Sequence, residues 1–227
     1  MKTQFAFLLA LIITHAASAD SVRPYGSDTG LPVSERKSGT EYMSPATQQM
    51  QRDDTQNPAM LWVANGEVLW RTAPLEGNGK SCVTCHTDAK TSMRGAATKF
   101  PRFSKSAGKV ITLSDQINQC RTGALQAAAL KAESADLLAL EAYIALQSRG
   151  LPLTPPGDEQ TKQAAERGQK LFTTRIGQLN LSCAQCHDNN AGKRLAGAPI
   201  PQGHANAYPI YRLEWQGVGS LQRRLRN

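Results

Sequence analysis

Ser81–Thr87 reads "SCVTCHT" and Ser182–Asp188 reads "SCAQCHD", and these two stretches decide the fold. Each holds C-x-x-C-H, the signature of covalent haem attachment. Two thiols three residues apart form thioethers to the vinyl groups of one porphyrin, while the histidine that follows rises to the iron as proximal ligand. A zinc site needs paired C-x-x-C units converging on one ion, and a thioredoxin-type site needs a βαβ surround. Neither accounts for a histidine after both pairs. The expectation is two covalently bound haem c groups, one on Cys82 and Cys85 with His86, the other on Cys183 and Cys186 with His187.

Working outward, the surroundings of the motifs repeat. "NGEVLWRTAPLEGNGKSCVTCH" parallels "ERGQKLFTTRIGQLNLSCAQCH", with Gly66 and Gly168 each four residues before an aromatic, Trp70 and Phe172. Self-similarity of this kind marks duplicated units. In each, a helix with an aromatic near its end leads into the haem loop, where the ring covers the porphyrin edge. "SADLLALEAYIALQSRG" carries a helical apolar pattern (Leu137, Leu138, Leu140, Ile144, Leu146), with Ser134 as N-cap and Gly150 before Pro152 as stop. It reads as the helix that crosses the N-terminal helix in small c-type cytochromes. The fold expected is mainly α, two cytochrome c-like domains related by duplication, the second incomplete. The divisions are a signal peptide at 1–19, an extended N-terminal arm at 20–58, a first cytochrome c-like domain at 59–150, a Pro-rich linker at 151–160 and a second domain at 161–227.

Lys2, the apolar run Phe5–Ile13 and Ala17-Ser18-Ala19 form a secretory leader, with Asp20 as first mature residue. The run is too short to span a bilayer. Export places the protein in the periplasm and makes nucleic acid an improbable partner. The net charge of +8 is spread along the chain rather than gathered in a tail, which suits anionic small molecules or an acidic protein partner.

An iron with one histidine needs its other axial ligand assigned, because that ligand sets the potential. All five methionines lie at or before Met93, so the second haem has no methionine in its own unit. For the first haem, Met93 lies too few residues beyond His86 to pass round the ring, whereas Cys120 is the one cysteine without a thioether role. Thiolate ligation by Cys120 is expected, with Arg121 beside it favouring the thiolate. For the second haem, His204 is one candidate. The other lies past the end of the chain: Leu221 and Leu225 in "LQRRLRN" stand where Leu113 and Ile117 precede Cys120, so the residue after Asn227 aligns with Cys120. The sequence therefore reads as a fragment cut one residue before a cysteine.

Together these residues resemble the SoxA family, the dihaem cytochrome subunits of the SoxAX complex of bacterial sulfur oxidation. The resemblance covers almost the whole mature chain, and its most specific parts are "YPIYRLEWQGVGSLQRRLRN" (Tyr208–Asn227), "INQCR" and the two C-x-x-C-H sites. It implies His/Cys ligation at both haems, with His86 and Cys120 at the first and His187 paired with a cysteine just after Asn227. That later cysteine, persulfidated in the family, is implied to be the catalytic residue. The resemblance also implies an L-cysteine S-thiosulfotransferase, a SoxX-like monohaem partner, and the joining of thiosulfate to a cysteine of a SoxYZ-like carrier. Arg224 matches the family's arginine four residues before the active cysteine and is the residue expected to bind thiosulfate. Arg223, Arg224 and Arg226 suit a small dianion through charge-assisted bonds, although surface arginines also pair with haem propionates or remain solvated. A dihaem electron carrier without catalysis would be expected to hold a methionine in each unit. A dihaem peroxidase would need a distal acid or base, for which only His204 is unassigned.

Overall fold

A computed structural model describes residues 32–226, so the expected leader and the first part of the arm lie outside the described residues. The arm region was expected to be extended, yet it contains two short 3-10 turns, at Val33–Glu35 and Gly39–Tyr42, and the helix α1 (Pro45–Arg52). Ser44 caps α1 by accepting a hydrogen bond from the Thr47 amide, and Pro45 opens it. None of its residues is buried, which is why apolar periodicity does not reveal it; the Ser-Pro start does.

From there the chain runs α2 (Met60–Arg71), α3 (Cys82–His86), α4 (Ala89–Ser92), the hairpin β1–β2 (Arg102–Ser104, Lys109–Ile111), α5 (Leu113–Gly123) and α6 (Ala135–Leu146). It continues through α7 (Glu159–Thr173), α8 (Cys183–His187), the small hairpin β3–β4 (Arg194–Leu195, Ala198–Pro199), the hairpin β5–β6 (Ile210–Arg212, Gly217–Gly219) and α9 (Leu221–Arg226). The three antiparallel hairpins have no counterpart in the sequence reading. Their strands of two or three residues are too short to show period-2 alternation.

Side-chain caps mark the starts of α5, α6 and α7. Thr112 and Asp115 form a reciprocal box at α5, Ser134 accepts from the Leu137 amide at α6, and Asp158 accepts from the Thr161 amide at α7. The last cap lies inside the expected linker, so α7 begins two residues earlier than the boundary drawn for the second domain. The linker is also tied down, since the Thr154 amide donates to the Thr98 carbonyl at 2.8 Å.

The core sits where α6 crosses α2, the most extensive contact between helices. Leu137, Leu138, Leu140 and Ile144 are all nearly inaccessible, as are Ala139, Ala142 and Tyr143, so α6 is buried around most of its circumference rather than along one face. Full burial of each large aliphatic contributes about 1.5–3 kcal/mol. Gly66 makes the crossing possible. A Cβ there would collide with the Ala139 carbonyl oxygen and lie 2.6 Å from the Tyr143 Cβ. Beyond residue 150, Val218 is the only fully buried apolar side chain among the described residues.

The two hairpins that follow the C-x-x-C-H helices stand in one register. β1, β2 and α5 begin at Arg102, Lys109 and Leu113, and β5, β6 and α9 begin at Ile210, Gly217 and Leu221, a constant offset. Each hairpin lies against the other half of the chain: β1–β2 packs on α7, while β6 packs on α6. Trp62 of α2 meets Tyr211 of β5 edge-on, with ring centroids 5.9 Å apart.

Two predictions follow from this packing. Gly66→Ala should cost about 3 kcal/mol, the upper end of overpacking penalties, because backbone rather than a flexible side chain must give way; thermal unfolding would read the loss. Glu141 on α6 is partly buried and accepts from the Ser114 hydroxyl at 2.5 Å. Burial raises its carboxyl above the usual range, the Ser114 bond opposes this, and Glu133 and Asp115 add to the rise. The folded state thus holds the proton more tightly than the unfolded chain, and stability falls as pH rises from the ordinary carboxylate range through the folded value. Glu141→Gln should therefore melt higher than the wild type at neutral pH, and the difference should vanish toward about pH 4.

Candidate haem sites and an arginine-bearing helix

All five thiols are unpaired, as thioether and iron chemistry require. In the first site Ser81 and Thr84 form the capping box of α3, which places Cys82 and Cys85 one turn apart on one face. The helix stops at Thr87, whose φ of 54° is an outlier for a β-branched residue. Trp70 holds the chain there, its indole N–H donating to the Thr87 carbonyl at 3.1 Å. The same ring lies 5.7 Å from His86 and 6.0 Å from Tyr143, centroid to centroid. Trp70 is thus a buried bolt joining α2, α6 and the haem-binding turn, more than the edge cover expected of it.

Cys120 is half-buried on α5 and receives the Gln116 side-chain amide at 3.5 Å from its Sγ. It is near enough to Cys82 for their charges to couple: burial raises the Cys82 thiol, Arg121 opposes this, and Cys120 adds to it. Arg121 itself donates to the Ala128 carbonyl at 3.2 Å. Met93 packs against the core cluster at the end of α4. Cys120 thus lies near Cys82, and Cys82, Cys85 and His86 share α3, residue types that suit one covalent haem with a sulfur ligand, although among the described residues no three such side chains are gathered as a metal-holding group.

The second site repeats the local design. Ser182 and Gln185 box the start of α8, with the Ser182 amide donating to Gln185 Oε1 at 2.8 Å. His187 Nδ1 lies 2.8 Å from the Pro201 carbonyl oxygen. A carbonyl only accepts, so Nδ1 carries the proton and Nε2 keeps its lone pair for iron, the usual way a ligating imidazole is oriented. Phe172 and His187 both border Gly203, where an added Cβ would lie 3.1 Å from the ring and 3.4 Å from the His187 Cβ. Leu171, Ile176, Leu179, Leu181 and Leu195 are exposed around this motif, an apolar surround that a porphyrin would cover. His204, the alternative ligand, places Nε2 3.1 Å from Gln202 Oε1. Burial lowers its pKa, Arg36 adds to this, and Asp188 opposes it.

The arginines of α9 are not equivalent. Trp215 packs against Gly219, where a Cβ would come within 2.5 Å of the ring, and the Arg223 guanidinium lies over the same indole at 4.4 Å. Arg226 reaches Glu133 at 3.9 Å. Arg224 is exposed and has no hydrogen bond or ion pair through its guanidinium among the described residues. Its charge acts on Tyr208, whose phenol burial raises while Arg224 and Arg212 lower it. Sequence reasoning missed Trp215, Ser220 and Glu133, because their roles rest on contacts across the fold that no local spacing announces.

Comparison with known proteins places these features in a family. Residues 65–153 match the SoxA/TsdA cytochrome c domain. The L-cysteine S-thiosulfotransferase subunit SoxA of Pseudaminobacter salicylatoxidans is 34% identical, covering 98% of this chain and 82% of that protein. The subunit of the same name from Paracoccus pantotrophus is 34% identical, covering 82% of this chain and 64% of its own. A crystal structure of SoxXA from P. pantotrophus superposes with a TM-score of 0.77 at 34% identity, covering 83% of this chain and 71% of that one. Among the described residues no helix is long and apolar enough to cross a membrane. With its mainly helical cytochrome c-like fold, its haem c attachment motif and this identity over nearly its whole length, the chain belongs to the SoxA family.

Proposed function

We propose that this chain is the SoxA-like subunit of an L-cysteine S-thiosulfotransferase of the periplasm, working with a SoxX-like monohaem cytochrome and a SoxYZ-like carrier protein. The observation that carries the reading is the uncommitted Arg224, on a helix whose other arginines are held by Trp215 and Glu133. Thiosulfate is a small dianion, and an exposed guanidinium with its donors free is suited to hold it.

The chain is built from two cytochrome c-like units related by duplication, each holding one covalent haem. Support comes from the repeated capping boxes, the paired C-x-x-C-H helices and the constant offset of hairpin and following helix. In the first unit Cys82 and Cys85 anchor the group, and His86 and Cys120 are its axial ligands. In the second, Cys183 and Cys186 anchor it and His187 is the proximal ligand.

In the reaction a carrier thiol and the outer sulfur of thiosulfate form a sulfur–sulfur bond, releasing one proton and two electrons. Haem c supplies the electron acceptors when bound. Arg224 holds the dianion and offsets its charge against the incoming thiolate; Arg223 and Arg226 keep the local potential positive while remaining tied to Trp215 and Glu133. Pro201 keeps His187 in the iron-binding tautomer.

Three measurements test this in the full-length protein assembled with its monohaem partner. Haem staining of the denatured chain and a pyridine haemochrome assay should return two haems per chain; one haem would overturn the duplication. Cys120→Ala should abolish the thiolate-ligated low-spin signal of one haem, and an unchanged spectrum would exclude Cys120 as ligand. Arg224→Ala should raise KM for thiosulfate by about tenfold to a hundredfold, the loss of one charge-assisted contact, and Arg224→Lys should restore part of it. An unaltered KM would remove Arg224 from the substrate site.

A further inference from the structure

We propose that Glu133 is a positioning residue that holds the arginine-bearing helix α9 from the opposite half of the chain. The proposal rests on the reading of α9 as the thiosulfate-binding helix. Glu133 ends the loop before α6, next to the Ser134 cap. Its φ is 62°, in the left-handed region that glycine occupies at no steric cost and glutamate seldom enters. What the glutamate side chain does offers a reason for its presence there.

Both carboxylate oxygens reach Ser220, the residue just before α9. The Ser220 hydroxyl donates to Glu133 Oε1, and the Ser220 amide donates to Oε2 at 3.3 Å. Ser220 in turn caps the helix, its Oγ accepting from the Arg223 amide at 3.1 Å and its carbonyl from the Arg224 amide at 3.1 Å. At the far end, Arg226 approaches the same Oε1 at 3.9 Å. One carboxylate therefore grips the first and last turns of a six-residue helix too short to hold itself. Ser220 is buried and the Glu133 side chain is only 23% exposed, so the bonds are shielded from competing water.

The consequence is directional. With Arg226 drawn toward Glu133 and Arg223 over Trp215, Arg224 is the one arginine of α9 whose guanidinium has no partner among the described residues. Without the carboxylate the Ser220 hydroxyl loses its acceptor, Arg226 is released, and the orientation of Arg224 is no longer set. A purely structural tie between halves would lower stability and leave the substrate constant alone; a positioning role moves the substrate constant.

The test uses the full-length protein in complex with its monohaem partner, with thiosulfate as the probe. Glu133→Gly is the informative variant, because it relieves the left-handed backbone while removing the carboxylate. Glu133→Gly and Glu133→Ala should raise KM for thiosulfate about tenfold with kcat within about twofold, the pattern of lost binding rather than lost chemistry. Glu133→Gln, which keeps an acceptor for Ser220, should recover part of the affinity. Independently of turnover, amide hydrogen exchange over residues 221–226 should be faster in Glu133→Gly and Glu133→Ala than in the wild type. Wild-type KM in Glu133→Gly would overturn the proposal: with faster exchange it leaves only a structural tie, and with unchanged exchange not even that. Should the wild type itself fail to saturate with thiosulfate, the substrate reading falls, and the exchange rates alone then decide: faster exchange supports the grip of Glu133 on α9, and unchanged exchange overturns it.

Discussion

One close approach underlies the rest of the structure: the backbone of α2 at Gly66 against α6 at Ala139 and Tyr143. No side chain can stand between the two helices there, so their separation is set by main-chain atoms rather than by adaptable packing. Trp70, one turn further along α2, is thereby carried into the space between Tyr143 and His86. Its indole N–H then secures Thr87 in a backbone conformation that a β-branched residue would not choose by itself. A constraint at one glycine thus reaches the histidine of the C-x-x-C-H motif in two steps, from helix distance to ring placement to turn geometry.

The second half of the chain obeys a different economy. Its apolar residues are mostly on the surface around Cys183 and Cys186, and Val218 is its one fully buried aliphatic among the described residues. It leans on the first half for support: β6 packs on α6, Tyr211 meets Trp62, and Glu133 holds Ser220. The first half contributes the hydrophobic core, and the arginine-bearing α9 sits on a part whose local stability depends on that core.

Much of this was legible in the sequence, for identifiable reasons. C-x-x-C-H is a short motif whose spacing is dictated by covalent chemistry, so it survives without structural context. The α6 helix announced itself through Ser134, its leucines and Gly150, although it is buried nearly all round where a single apolar face was expected. Arg224 came from the family resemblance alone, and the commitments of its two neighbours are visible only in the fold. Two kinds of feature stayed hidden. The hairpins are too short to carry a period, and α1 buries nothing that could show one. The contacts of Glu133, Ser220 and Trp215 join residues far apart in the chain, which no local pattern encodes.

The arm residues bind at two places. Lys37 and Glu35 exchange backbone hydrogen bonds with the Gln202 side chain, near the second haem motif. Asp54 forms a forked pair with Arg149 at the end of the first unit. Besides their direct packing, the two halves are therefore tied by two strands of chain, the linker that Thr98 pins at Thr154 and the arm that bonds to Gln202 and Arg149. In mechanical terms this is a closed circuit rather than a single hinge. A load pulling the halves apart is shared between two strands in parallel, and neither can extend until contacts on both have let go.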